Sequence, residues 1–429
     1  MAKQLIFIPL LLLTILIFGF TLNRIWQLFK ITKATNSTQD MVKRLILTLK
    51  IAMGQSKILR KPFIGFMHAL VFWGFLAITL GSIEMVMDGI TGKEHFFSNF
   101  GWFYYVITAS GDLFAYIIVI GIVIFLIRRK ILHIKRFSGI ELTSKNKLDA
   151  SVALLLILFL MVTLIGLNWS YTIKNEAVFT GWFPVSSHLA SVFSIEQTTA
   201  LSVYQLCWWS HILGIFIFAN YLPYSKHFHV FLSIPNVYYS NLEPLTKLPN
   251  MPSITREVKL MMSANPYQQS SNETISRFGV QDVEDITWKN YMDSLTCTQC
   301  GRCTEVCPAN ITGKKLSPRK IFVDIRNRMN DKGPKLIKNK NYSDNKSLVG
   351  DFISMEELWA CTTCNACAQE CPLNISHPNL IIDMRRYLVL EKGLAPTGIK
   401  TMFANIENNG APWQFSPQDR LEWTKDNEQ

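Results

Sequence analysis

Eight of the nine cysteines stand in two runs of one spacing. Cys297, Cys300, Cys303 and Cys307 form C-x2-C-x2-C-x3-C with Pro308 next; Cys361, Cys364, Cys367 and Cys371 repeat it with Pro372 next. This spacing serves 4Fe–4S clusters: three cysteines wrap one face of a cubane, and the fourth ligates the other cluster of a pair. The proline stops the following turn from continuing and frees the fourth cysteine to point away. The expected ligand sets are therefore crossed. Cys297, Cys300 and Cys303 go with Cys371, and Cys361, Cys364 and Cys367 go with Cys307. Gly301 and Ala366 are small, as a loop hugging an inorganic core needs. Zinc is the competing use of such cysteines, but zinc sites prefer two separated C-x2-C pairs. Disulfides are disfavoured in a reducing compartment.

Histidines form the second chemical set. His68 lies in an apolar stretch about six residues from its start, roughly 9 Å deep at 1.5 Å per residue. A later stretch runs from Trp208-Trp209-Ser210-His211 to Pro223 and then Lys226-His227-Phe228-His229. His211 and His229 are 18 residues apart, about five turns, so an unkinked helix puts both on one face. His227 faces elsewhere, and Pro223 is a candidate kink. An imidazole inside a membrane is costly and marks function, and facing histidines on neighbouring helices hold haem iron. By depth His68 belongs with His229. The alternative is that each histidine hydrogen-bonds a neighbouring helix or sits among headgroups. His95 and His188, in the outer loops, are possible partners for His211 but read as interfacial. His133 reads as solvated, and Cys207 as apolar filling.

These residues need elements to hold them. Hydrophobic residues make up 49% of the 429 and charged ones 17%, which excludes whole-chain disorder and a disulfide-stapled mini-protein. Five apolar runs, at about residues 5–22, 63–85, 103–127, 148–168 and 205–230, are long enough to cross a bilayer. The first reads as an uncleaved span. The loop after span 1 carries nine Lys and Arg and the loop after span 3 carries seven, while the other two have Lys93 and Lys174 alone. The positive-inside rule then puts the N-terminus outside and everything after span 5 on the cytoplasmic side of the inner membrane. The Trp208-Trp209 pair suits the outer interface. The net charge of +12 follows from insertion, not from binding nucleic acid.

The expected fold is mainly α: a five-span transmembrane helix bundle over residues 1–235, then a helical ferredoxin-type dicluster domain over 286–400. Residues 236–285 read as a linker, with Pro244, Pro249, Pro252, Pro266 and the polar run Gln268 to Asn272. Residues 401–429 are a tail open to partner contact. Between the motifs a helix is expected from Pro318 to Met329, and Lys335 to Lys340 as a solvated loop. Short helices at Met355–Ala360 and Pro378–Leu390 close the domain.

Five spans, an outside N-terminus, His68 in span 2 and the order His211, Pro223, His229 resemble the cytochrome b membrane subunit of respiratory nitrate reductases. That resemblance implies b-type haem held between spans 2 and 5 and fed by membrane quinol. His68 and His229 match the inner-haem ligands, and His211 matches an outer-haem ligand. Ile78 stands where the pattern has its second span-2 histidine, so the haem number is one or two. Cys297 to Pro308, Leu316-Ser317-Pro318-Arg319, Trp359 to Cys367, and Asn409 to Trp413 with Arg420 and Trp423 resemble the C subunit of heterodisulfide reductases and related iron–sulfur oxidoreductases. In many relatives a Cys-Cys-Gly catalytic domain comes next. No Cys-Cys-Gly occurs here, so that domain is expected on a separate cytoplasmic oxidoreductase subunit.

The expected function is that of an electron-transfer subunit between the quinone pool, b-type haem, two 4Fe–4S clusters and that partner. The cofactors carry the chemistry and the protein positions them. No nucleophile–base pair, P-loop or dinucleotide fingerprint is present. The alternative is a membrane-anchored iron–sulfur sensor or anchor without haem. A redox-driven transporter is disfavoured: no inverted repeat shows, and Glu84, Asp88 and Asp112 read as lying near helix ends.

Overall fold

The computed structural model describes residues 2–35, 39–132, 134–139, 141–174, 180–263 and 277–425. His133, Pro266 and the Gln268 to Asn272 run lie outside them. Among the described residues five helices are long and apolar enough to cross a membrane: α1 (Ala2–Phe29), α2 (Pro62–Thr91), α3 (Trp102–Lys130), α4 (Ser144–Lys174) and α5 (Gln197–Tyr221). They exceed the expected runs because polar caps and basic ends extend each apolar core. Pro62 opens α2, where its missing N–H costs nothing, and Gly92 closes it in the left-handed region. Arg128, Arg129 and Lys130 end α3, where cations suit the helix dipole.

Two readings of the fifth span change. The helix stops at Tyr221, and His229 starts a new one, α6 (His229–Tyr238). Between them Pro223 sits in a short 3-10 turn, Ser225 is extended, and the Ser225 hydroxyl accepts the His227 N–H at 3.1 Å. The face shared by His211 and His229 on one continuous helix therefore does not exist. The span also starts eleven residues before Trp208, which places that ring inside the bundle. Trp208 packs 5.8 Å from Phe7, with the Lys3 ammonium 3.3 Å over its face. The Trp208 ring is thus covered by protein, because α5 runs on past its apolar core.

The dicluster domain is built on α7 (Trp288–Thr296), α8 (Pro318–Lys338), α9 (Met355–Trp359) and α10 (His377–Leu390). α8 runs on to Lys338, so most of the expected Lys-rich loop is its last turn. Leu336 is buried there, and the lysines complement the C-terminal dipole. The domain core also reaches back into the stretch read as linker. Val280, Val283 and Ile286 are buried in it, and the Val280 N–H bonds the Asp383 carbonyl. Gly279 permits that approach: φ is +72°, and a Cβ would lie 2.3 Å from the Asp383 carbonyl oxygen.

The domain docks on the end of the bundle that carries the basic loops. Lys33 exchanges backbone bonds with Ile286 and Trp288, and Leu28 joins the domain core. The Arg60 guanidinium donates to the Gln369 carbonyl at 3.1 Å. Arg319 and Glu141 form an ion pair at 2.6 Å, with side chains 1% and 2% exposed. Arg319 also donates to the Arg136 and Ser138 carbonyls. Removing one partner of such a pair strands the other charge, at about 3–5 kcal/mol. Arg319→Met is therefore expected to lower the thermal unfolding midpoint of the detergent-purified chain. An unchanged midpoint would show that this pair does not hold the halves together.

Candidate redox centre

The two cysteine motifs fold as the repeat their spacing suggests. Gln299 and Gly301 in the first, and Thr363 and Asn365 in the second, occupy the left-handed region at matching places. These paired reversals curl each loop around a centre. Backbone N–H groups then turn inward: that of Thr363 reaches the Cys361 sulfur at 3.4 Å, and that of Gln299 the Cys297 sulfur. Gly301 is small for a reason other than the one expected. Its missing Cβ faces the Arg136 carbonyl at 2.6 Å and the Arg319 guanidinium at 2.7 Å, so it admits the neighbouring basic loop.

The prolines also act differently from the expectation. Pro308 opens a short helix, Pro308–Ile311, instead of ending a turn. A residue before proline is driven out of the helical region. Cys307 (φ −75°, ψ 117°) and Cys371 (φ −67°, ψ 119°) are both held extended in this way.

The thiols, all free, fall into two adjoining sets. The sulfurs of Cys300 and Cys297 bear on Cys371, and Cys371 bears on Cys303. Cys307 and Cys364 bear on Cys361 and Cys367. Cys303 also feels Cys367. Burial pushes the Cys371 thiol up to about 12, against the inward Ile375 N–H. A thiolate there needs a cation's charge, so iron binding must release protons. Cys364 alone is exposed, which leaves the second set at the surface. Among the described residues no three His, Cys, Asp or Glu side chains converge on a single metal-ion position. A cubane takes one thiolate per iron around a core, and the loops provide that arrangement.

Contacts from the membrane half converge on the first set. The Lys57 ammonium, just before α2, donates to the Cys371 carbonyl at 3.1 Å and the Ala368 carbonyl at 3.3 Å. The Arg302 guanidinium, inside the first motif, donates to the Lys57 carbonyl at 3.1 Å. The Lys226 ammonium, just after α5, donates to the Gln299 side chain at 3.3 Å. None of these cations was singled out in the sequence, where they are part of an even basic background.

Of the histidines, His68 lies near enough to His229 and Arg302 to feel their charges. Its Nδ1 is buried with no hydrogen-bond partner among the described residues. His229 donates Nδ1–H to the Lys226 carbonyl at 3.2 Å. His211 faces the Leu160 carbonyl through Nδ1 at 2.9 Å and the Thr163 hydroxyl at 3.0 Å. It lines a cavity of about 80 Å³ with Ile78, Glu84, Asp88, Asp112 and His95. His95 folds into the bundle, its Nδ1 2.6 Å from the Tyr104 hydroxyl and its Nε2 buried without a partner. Asp112 is wholly buried within α3 and accepts from Asn168 and Ser186, so it is no helix-end residue. His188 is exposed.

Comparisons agree with this architecture. Over 98% of its length the chain is 26% identical to the "Probable iron-sulfur-binding oxidoreductase FadF" of Bacillus subtilis, 61% of which it covers. Over 97% it is 28% identical to the "EtfAB:quinone oxidoreductase" of Syntrophomonas wolfei, covering 58%. It thus spans about three fifths of these relatives. Over 34% of its length it is 35% identical to the "Probable membrane-anchored ferredoxin" of Chromohalobacter salexigens, covering 24%. No solved structure matches. Residues 296–375 match the family described as "4Fe-4S dicluster domain", and the chain is a five-helix membrane bundle bearing that domain.

Proposed function

We propose that the chain is the electron-transfer subunit of a quinone-linked oxidoreductase. In this reading electrons pass between membrane quinone, b-type haem held by His68 and His229, the two clusters, and a soluble partner. One observation carries it: the residues flanking both histidines also grip the first cysteine set. Lys57 precedes the helix of His68 and bonds the Cys371 carbonyl; Lys226 stands three residues before His229 and bonds Gln299. The iron–sulfur site is thereby tied to the ends of the two helical segments that present the imidazoles.

The side chains fit a bis-histidine haem. His229 donates Nδ1–H to a carbonyl, which leaves its Nε2 lone pair free for iron. The orphaned His68 nitrogen is the kind of buried group that a ligand accounts for. Haem supplies the one-electron step between a two-electron quinol and the clusters. For a second haem, His211 has the same ligand-ready tautomer, but Ile78 opposite it has no donor.

The cavity beside His211 is the proposed quinol site. A quinol gives up two protons with its two electrons. Burial holds His95 down to about 4, so its imidazole lines the cavity uncharged, with Nε2 unpartnered among the described residues. Glu84, Asp88 and Asp112 line the same space. The clusters lie at the basic end of the bundle, which the positive-inside rule makes cytoplasmic. The relative named as an EtfAB:quinone oxidoreductase supports the quinone and suggests an EtfAB-type partner. A separate Cys-Cys-Gly protein is the other candidate partner. Trp413, Phe415 and Trp423 stand exposed in the tail for such a contact.

An oxidised-minus-reduced visible spectrum of the purified chain, with haem and iron counted on one sample, tests this. A b-type band with about eight non-haem irons per chain is expected. Eight irons without the band would sink the haem and leave a membrane-anchored iron–sulfur protein.

A further inference from the structure

Each cysteine motif is gripped by one guanidinium. Arg326 on α8 donates Nε to the Ser294 carbonyl at 2.7 Å, and Nη2 to the carbonyls of Leu295 at 3.3 Å and Cys297 at 2.7 Å. Arg385 on α10 donates Nε and Nη2 to the Leu358 carbonyl at 2.9 and 2.6 Å, and Nη2 also to the Cys361 carbonyl. Cys297 and Cys361 are the same position of the repeat. Each arginine thus ties the entry of its own motif to the helix behind it.

Their neighbours make the pair distinctive. On the same two helices Arg319 pairs with Glu141, Arg328 with Asp282 and Asp344, and Arg386 with Asp383. Arg326 and Arg385 form no ion pair among the described residues. Both donate to the first cysteine of their motif, and no carboxylate lies within ion-pair distance of either among the described residues. Arg385 also lies 4.8 Å over the Trp359 ring, which screens it from water on that side.

We propose that Arg326 and Arg385 are positioning residues that set the reduction potentials of the two clusters separately. Arg326 acts on the cluster of Cys297, Cys300 and Cys303, and Arg385 on that of Cys361, Cys364 and Cys367. Reducing a cluster adds one electron and one unit of negative charge, with no bond made or broken. A nearby uncompensated cation favours the reduced state, most strongly where water is excluded. Lys57 adds a further cation, at the Cys371 carbonyl of the first set and the Ala368 carbonyl beside it. The inference rests on the crossed cysteine sets and not on haem, so a chain with eight irons and no haem tests it equally.

The test is a redox titration of the whole purified chain, followed by the EPR signals of both clusters, with iron counted. Arg326→Gln is expected to lower the potential of one cluster and leave the other in place; Arg385→Gln is expected to do the reverse. Arg326→Lys and Arg385→Lys keep the charge and should restore most of the shift. Full iron with unmoved potentials, both variants moving the same cluster, or lysine doing no better than glutamine would each overturn it. If Arg326→Gln loses iron, Lys57→Gln carries the test from outside the domain. It must lower the potential of the first cluster more than that of the second, and an unmoved potential there refutes the proposal.

Discussion

Cys371→Ser is expected to cost the chain the cluster of the first motif, not of the motif in which Cys371 lies. Iron should fall from about eight to about four per chain, and the EPR signal of the second set should persist. The proline after Cys371 holds its backbone extended and turns its sulfur toward Cys297 and Cys300. Cys307→Ser is the mirror experiment and should remove the second cluster. Loss of only the second cluster in Cys371→Ser would make the crossed ligation wrong. Lys57 would then act on the second cluster and not the first.

His68→Ala should abolish the b-type absorption while the protein still inserts and still binds about eight irons. The substitution removes a nitrogen with no hydrogen-bond partner among the described residues, and alanine suits a helix interior. A structural histidine would give a different result: some loss of stability and no change in haem. Unchanged haem content ends the His68–His229 assignment. His211→Ala on the same sample should leave the haem band and weaken quinol oxidation.

The sequence reading and the structure part company at recognisable places. The cysteine repeat was legible because cluster ligation is local: three ligands and a proline fall within a dozen residues. The five spans were legible because a bilayer demands long apolar runs. Helix ends were not. Polar and basic residues extend a helix past its apolar core, which moved Trp208 inward and carried α8 into the lysines. The break after Tyr221 was foreseen at Pro223 as a kink, but its size depends on Ser225 bonding the His227 N–H, a local competition that no period reveals. Arg326 and Arg385 were invisible for another reason. Each owes its place to long-range packing, and nothing in its neighbourhood sets it apart from other basic residues.

The contact of Lys33 with Ile286 and Trp288 has a consequence in time. The chain's first helix is capped by a segment made some 250 residues later. At about 5–20 residues per second, translation takes on the order of tens of seconds to cover that distance. Through that interval Leu28 and Phe29 lack most of the core that covers them, Tyr291 included. The early membrane helices must therefore persist at the bilayer with one end unfinished. The late domain is the closing step of assembly, and a release delayed beyond it leaves an apolar helix end open to other chains.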